Sequence, residues 1–452
     1  MDDNNHELYT WQPSGVDFLR SHPGGILGDE QGLGKTVMMV AAAKKFSGPV
    51  LCVVRDLAKL QITQIIKEWD PDAPVVRCVE AGVFASDIVE KWFDFPRTRG
   101  YLLVHHEALH RIASLLSTFG VWEVVWMDEA HRISNPRTRV AKAVKTIPSF
   151  YKWATTGTIM DRSPADFWSI LHWFNTRRFG SYQSFYDKYV DVVRDRKGKI
   201  VRLTPKNLKL FAAEVGPFFM RRTAEEVGMQ EPLFTHVPLE LYSLQHGIYN
   251  KFSREVLVFL ERESTDDPIF VQNALQKLYL LQSTTISPSL VDVPGPSVKY
   301  DYVKDWLQDY PYEQLIVFTH NKRACKELAS MLDDAVAITG DTQRKDREHF
   351  LSLFESGRIR TLCCVIDLAA ESLSFPNVSN AIFLDIHSSS RLMNQAEMRI
   401  RRANSTKRAK IYYLTAVGTV DTLLMSHYKA KLTNIELVNE FIRRFHDAGN
   451  SH

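Results

Sequence analysis

The sequence predicts an α/β protein of two lobes with mainly parallel sheets, a helical bridge between them and a small β-hairpin insertion. Short continuous apolar runs of buried-strand type alternate with helical stretches through the first part of the chain. The same rhythm resumes beyond Ser287-Pro-Ser-Leu-Val-Asp-Val-Pro-Gly-Pro296, whose Pro and Gly content marks a linker. A chain of 452 residues is also long enough for about two to four domains, each burying its own core. The boundaries drawn from this pattern are 1–222 for the first lobe, 223–296 for the bridge and linker, and 297–452 for the second lobe with a C-terminal helix.

In chain order, Gln12 stands ahead of an apolar helical face made by Val16 and Leu19. Its amide pairs a donor with an acceptor and suits the edge of an adenine. Next comes Gly24-Gly-Ile-Leu-Gly-Asp-Glu-Gln-Gly-Leu-Gly-Lys-Thr36, an apolar approach followed by a glycine-rich turn and a Lys-Thr pair. A backbone cradle for nucleotide phosphates requires these parts. Gly28, Asp29, Glu30, Gln31, Gly32, Leu33 and Gly34 make the turn, Lys35 reaches the β- and γ-phosphates, and Thr36 holds Mg²⁺. Asp29 occupies a place where a strict phosphate-loop pattern has Gly, and the bland alternative is a glycine-rich surface turn.

Val37-Met-Met-Val-Ala-Ala-Ala-Lys44 reads as a helix, and Pro49–Val54, Tyr101–Val104 and Val121–Met127 read as buried strands. Ligands bind at the carboxyl ends of strands in such sheets. Asp128-Glu-Ala-His131 follows the third strand directly. Asp128 is suited to holding Mg²⁺ and Glu129 to polarising an attacking water, whereas an isolated acidic pair would be a solvated turn. In Trp153-Ala-Thr-Thr-Gly-Thr158, small hydroxylated residues at a strand end could tie the metal-binding acid to its neighbours.

From Asn175 to Thr223 the composition turns aromatic and basic, with Arg177 and Arg178 beside Phe179, Tyr182 and Tyr186. Within it, Tyr189 to Leu203 reads as two strands joined at Lys197-Gly198, with Arg194, Arg196, Lys197, Lys199 and Arg202 around the turn. A basic hairpin of this kind either contacts phosphates or is a solvated edge that resists aggregation. In the second lobe, Gln314–Thr319, Ala335–Thr339, Thr361–Ile366 and Ala381–Asp385 are strand candidates. No second phosphate loop accompanies them. The lobe instead carries Gln395-Ala-Glu-Met-Arg-Ile-Arg-Arg402, where helical spacing puts Arg399 and Arg402 on one face, able to clamp phosphate oxygens. Near the C-terminus, Leu437, Phe441 and Phe445 form an amphipathic pattern that suits packing against the second lobe, with binding of a partner as the alternative.

Composition narrows the class. A net charge of +3 announces no strongly basic nucleic-acid domain, so any such footprint must be local. No apolar run approaches the length of a membrane span, and the Asp2-Asp3-Asn4-Asn5 opening has no signal-peptide pattern, which makes the cytoplasm the expected compartment. Cys52, Cys78, Cys325, Cys363 and Cys364 show no metal or disulfide spacing and read as buried thiols in strands.

In order and spacing, Gln12, Asp29-Glu30 with Gly32-Leu-Gly-Lys-Thr36, Asp128-Glu-Ala-His131, Thr156-Gly-Thr158 and Gln395-x-x-x-Arg399-x-x-Arg402 resemble the motifs of superfamily 2 helicases. Gly24-Gly-Ile-Leu27, Arg132-Ile-Ser-Asn-Pro136, Phe179-Gly-Ser-Tyr182 and Phe219-Met-Arg-Arg-Thr223 are similar to segments of the Snf2-like branch, and the likeness runs from Leu8 to Leu424. The resemblance implies two RecA-like lobes that close on ATP and Mg²⁺ and pull along DNA. It casts Lys35, Asp128, Glu129, Arg399 and Arg402 as catalytic and adds Glu371 to the nucleotide contacts. DNA, branched or duplex, would meet Thr342, Arg344, Arg177, Arg178 and the 194–202 hairpin. The short core resembles minimal bacterial or phage-encoded members, expected as monomers with replication or recombination proteins as further partners. Remodelling of forks and four-way junctions by branch migration with limited unwinding is the favoured activity. The alternatives are a duplex motor that displaces bound proteins and a nucleotide-gated clamp without hydrolysis. Ile159, Met398, Ala370 and Ser372 depart from the family pattern, and so does Arg55, which follows the strand ending at Val54 where an apolar residue or Pro is usual.

Overall fold

The computed structural model describes residues 7–55, 58–77, 99–157, 164–194, 200–260, 268–372, 375, 378–400 and 407–430. The chain divides into two units, Met1–Met229 and Gln230–His452.

The first unit is built on strands β1 (Gly24–Leu27), β2 (Pro49–Val54), β3 (Val75–Arg77), β4 (Gly100–His105), β5 (Trp122–Met127), β6 (Ser149–Thr155) and β9 (Phe219–Met220). They form one parallel sheet in the order β3-β4-β2-β5-β6-β1-β9. Helices cover both faces. Val16, Leu19, Met38, Met39, Ile62 and Ile66, from the helices Gln12–Ser21, Lys35–Ala43 and Ala58–Trp69, pack in one apolar cluster. Leu109, Leu116, Val144, Ile170 and Leu171, from His106–Thr118, Arg139–Thr146 and Trp168–Phe174, pack in another. Burial on both faces is why β2 and most of β4 and β5 read as near-continuous apolar runs.

The expected hairpin is present as β7 (Val190–Arg194) and β8 (Ile200–Pro205), antiparallel from Val190↔Pro205, with an irregularity at Val193/Arg194. The chain then returns through the helix Leu208–Val215 to β9, which pairs with β1.

The second unit holds a parallel sheet of β10 (Leu233–Leu239), β11 (Leu315–Thr319), β12 (Ala335–Ile338), β13 (Thr361–Val365), β14 (Asn380–Phe383) and β15 (Lys410–Ala416). Their order is β10-β15-β14-β11-β13-β12. Much of the stretch expected to bridge the lobes is part of this unit. Leu233–Leu239 runs beside β15 in register from Leu233↔Lys410 to Leu239↔Ala416. The helices Ser243–Leu260 and Pro268–Ile286 place Tyr249, Ala274, Leu278 and Leu281 in the core of the same unit. β10 escapes a reading for buried strands because it is an edge strand with Phe234 51 % exposed, and an edge also tolerates Pro238.

A buried ion pair, Lys299 Nζ to Asp421 Oδ2 at 2.6 Å, ties the helix Val298–Asp309 to Val420–Ala430. Lys299 also donates to the Leu384 carbonyl, so the buried ammonium is held by several oxygens. Cys52, Cys325, Cys363 and Cys364 are buried free thiols, with Cys325 on a helix rather than a strand. Cys78, Leu437, Phe441 and Phe445 lie outside the described residues. Among the described residues no helix is long and apolar enough to cross a membrane.

Candidate active site

The glycine-rich loop runs from the buried strand β1 to the helix starting at Lys35, at the carboxyl edge of the first sheet. Gly32 and Gly34 take φ of 89° and 80°, the left-handed region that favours glycine. A Cβ on Gly34 would also come within 2.2 Å of Gln12 Nε2, so two constraints fix this residue. Lys35 curls over the loop, its Nζ donating to the carbonyls of Asp29 at 2.7 Å and Glu30 at 3.1 Å. Thr36 sits in the first turn of the same helix, where unpaired N–H groups and the helix dipole favour an anion.

Three loop-associated side chains have roles the sequence did not reveal. Gln12 is 2 % exposed and is engaged at both ends of its amide: Nε2 donates to the Leu33 carbonyl at 3.2 Å, and Oε1 accepts from the Tyr9 N–H at 3.0 Å. It braces the loop from below. Asp29 is fully buried, and its Oδ1 accepts from Arg222 N at 2.9 Å and Nε at 3.1 Å, while Oδ2 pairs with Nη2. Glu30 Oε2 accepts from the Ala224 N–H at 2.7 Å. Backbone bonds from Gly28 N–H to the Met220 carbonyl and from Glu30 N–H to the Arg222 carbonyl complete the attachment. The carboxylates of Asp29 and Glu30 therefore anchor the loop to residues 220–224. Phe219 packs so close that a Cβ on Gly28 would lie 2.3 Å from its ring.

Asp128 and Glu129 follow β5 at the same edge. The Asp128 N–H donates to the Val53 carbonyl at 2.9 Å, extending the β2–β5 register by one residue. Its Oδ1 accepts from Thr155 Oγ1 at 2.7 Å, and that hydroxyl accepts from Trp126 Nε1 at 3.0 Å. This is the expected hydroxyl link at the end of β6, made by Thr155. Thr156 is also buried, with its N–H on the Leu27 carbonyl at 3.3 Å, and Thr158 and Ile159 lie outside the described residues. Burial, and then Glu129 beside it, pushes the Asp128 carboxyl up, partly offset by the Thr155 bond and by Arg55 and Lys35. His106, driven down to about 4 by burial, donates from Nε2 to the Asp128 carbonyl at 2.8 Å.

Glu129 adopts φ 49° and opens the short helical turn Ala130–Ile133. Its Oε2 faces His131 Nδ1 at 3.2 Å and its Oε1 faces Arg55 Nη2 at 3.6 Å. Burial would raise this carboxyl. His131 beside it and the charges of Arg55 and Lys35 outweigh it and hold the group at about 2.

In the second unit, Gln395 is buried on the helix Ser390–Glu397, and Arg399 follows it half-buried, its carbonyl accepting from Phe375 N–H at 3.2 Å. Glu371, Ala370 and Ser372 lie on the helix Ile366–Ser372. Thr342 Oγ1 accepts from the Thr339 N–H at 2.9 Å, and Arg344 opens the helix Arg344–Glu355. In the first unit, Arg177 and Arg178 are exposed on the helix Thr176–Phe179, with the Arg178 guanidinium 4.8 Å from the Phe218 ring centre. Arg194 ends β7, and Arg202 lies on β8 opposite Val193. Arg196, Lys197, Lys199 and Arg402 lie outside the described residues.

A family model described as the SNF2-related domain matches residues 11–290, more than half of the chain. The chain belongs to the SNF2-related family. A second model, the helicase conserved C-terminal domain, matches residues 298–404, and together the two identify a SNF2-related member of superfamily 2. Among SNF2-related relatives, chromodomain-helicase-DNA-binding protein 1 of Gallus gallus is 22 % identical over 96 % of this chain and 27 % of its own length. The DNA annealing helicase and endonuclease ZRANB3 of Bos taurus is 24 % identical over 95 % of this chain and 40 % of its own. This SNF2-related chain thus spans well under two thirds of either relative. A solved SWI2/SNF2 ATPase core from Sulfolobus solfataricus, in complex with dsDNA, is 19 % identical with a TM-score of 0.44, covering 93 % of this chain and 90 % of that one.

Proposed function

We propose that the chain is an ATP-driven motor on DNA, hydrolysing ATP when DNA is bound and using the cycle to translocate. The observation that carries this reading is the convergence of Lys35 and the Asp128–Glu129 pair at the carboxyl edge of one parallel sheet, in a SNF2-related chain. Thr36 and Asp128 offer the hard oxygen donors that Mg²⁺ takes, and Lys35 and the helix N-terminus offer positive charge to phosphates, so the residues fit a Mg–nucleotide. The bound metal would neutralise charge on the phosphate oxygens. Lys35 exchanges its carbonyl partners for phosphate oxygens, Thr155 fixes the Asp128 carboxylate, and Glu129 orients and polarises the attacking water. Arg399 and Arg402 supply further positive charge to the transferring phosphoryl group, a contribution of about 10³ to 10⁵ in rate for such an arginine.

Measuring phosphate release with and without duplex DNA tests this directly. Wild type should be stimulated by DNA, and Glu129→Gln should lose about 10²-fold or more of the rate. A wild type that releases no phosphate with or without DNA would favour the nucleotide-gated clamp, and an unaffected Glu129→Gln would remove Glu129 from the catalytic role.

The substrate we propose is branched DNA, remodelled by branch migration with limited unwinding. Its support is the basic hairpin of β7 and β8 and the alignment of 95 % of this chain with 40 % of a protein named as a DNA annealing helicase and endonuclease. A displacement assay on junctions, forks and tailed duplexes decides it. Preference for junctions and forks supports the reading; equal activity on all substrates, or clearance of a bound protein without strand separation, replaces it with a duplex motor.

A further inference from the structure

Arg55 is a long cation in a place where one is costly. It is 8 % exposed, directly beyond the last residue of β2. A guanidinium does not shed its proton, so burying it is tolerated only where an anion or several acceptors compensate. The sheet register brings one anion, Glu129, within reach of Arg55. Val53 pairs with Met127 in parallel strands, so Arg55 and Glu129 each stand two residues beyond a matched pair. Arg55 Nη2 comes 3.6 Å from Glu129 Oε1, and the other carboxylate oxygen faces His131 Nδ1 at 3.2 Å. Glu129 is consequently flanked on both sides, in a left-handed backbone conformation and next to the half-buried Asp128.

We propose that Arg55 is a positioning residue for Glu129, fixing the carboxylate that orients the attacking water. The inference rests on the ATPase reading. Without the guanidinium, Glu129 keeps His131 as its neighbour on one oxygen but loses the cation on the other, beside a second carboxylate. The carboxylate then swings between orientations, and a displacement of about 1 Å at a reacting group costs on the order of 10²-fold in rate. Nucleotide binding through Lys35 and the loop amides is left in place, so the defect falls on turnover.

The test is steady-state DNA-stimulated ATP hydrolysis by the full chain carrying Arg55→Met, Arg55→Lys, Glu129→Gln and the Arg55→Met/Glu129→Gln pair. The expected result is a kcat lower by about 10²-fold in Arg55→Met with KM for ATP within about twofold of wild type. Arg55→Lys, which restores a charge without the planar fork, should recover part of the loss. In the Glu129→Gln background Arg55→Met should add nothing, because two residues acting through one interaction are not additive. An unchanged kcat, a raised KM at unchanged kcat, failure of Lys to rescue, or additive losses in the pair would each overturn the role of Arg55 while leaving the ATPase intact. A wild-type chain without DNA-stimulated hydrolysis would overturn the ATPase reading and this inference with it.

Discussion

Arg222 grips Asp29 across 193 positions of sequence, with its backbone N–H and guanidinium both donating to the same buried carboxylate. The same guanidinium reaches the Trp11 carbonyl and, at 2.8 Å, the Ser14 hydroxyl. One side chain therefore fastens the loop, the N-terminal helix and the segment after β9 together. Arg222→Met should destabilise the first unit by about 3 kcal/mol, since it strands a buried carboxylate. Urea unfolding measures the loss, and titration of a fluorescent ATP analogue should show weakened binding. Adding Asp29→Asn should recover part of the stability. Equal stability of Arg222→Met and wild type would remove the clamp from consideration.

Thr155 relays Trp126 to Asp128 through a single hydroxyl. Thr155→Val keeps the shape of the side chain but deprives a buried indole N–H and a half-buried carboxylate of a partner at once. A loss of about 1–3 kcal/mol should follow, and Thr155→Ser should restore it. Chemical denaturation of both variants is the measurement.

Glu397 reports on the second unit. Burial raises its carboxyl to about 7 against the ordinary 4.5, although it accepts hydrogen bonds from the Tyr413 hydroxyl at 2.5 Å and from the Tyr428 hydroxyl. The folded chain then holds a proton here that the unfolded chain has released. Stability should be greatest below about pH 4.5 for this group, fall as pH rises to about 7, and level off, with about 3 kcal/mol at stake. Thermal midpoints of Glu397→Gln against wild type across that interval isolate the slope. Parallel curves would refute it.

Arg178 is exposed, with its guanidinium over the Phe218 ring, and is proposed to contact a DNA phosphate. Arg178→Ala should weaken duplex binding and reduce the slope of log affinity against log salt by about 1, without altering sequence preference. An unchanged salt slope would place Arg178 outside the DNA contact.

Most of the fold is legible in the sequence wherever burial on both faces leaves a continuous apolar run, as at Pro49–Val54 and Thr361–Val365. β10 is not, because an exposed edge strand has no such run, and two-residue β9 is too short to leave any pattern. The phosphate loop and the acidic pair are legible because their chemistry demands particular residues close together in sequence. Arg222 and Arg55 are not. Each is visible as a residue, within Phe219–Thr223 and after Val54, but its partner is set by strand register and by a long-range pairing that no local pattern encodes. Gln12 shows the converse, a residue found by its position whose amide proves to be engaged with Leu33 and Tyr9.

The neighbours of β1 in the sheet are β6 and β9, both synthesised long after it. During translation, then, Gly24–Leu27 has no strand to pair with until Ser149–Thr155 has emerged, and the glycine loop lacks its far anchor until Arg222 follows. At about 5–20 residues per second that interval is on the order of 10–40 s. The loop thus leaves the ribosome well before the residues that shape it, and a nascent chain stalled short of residue 222 should present an unset loop that binds nucleotide poorly.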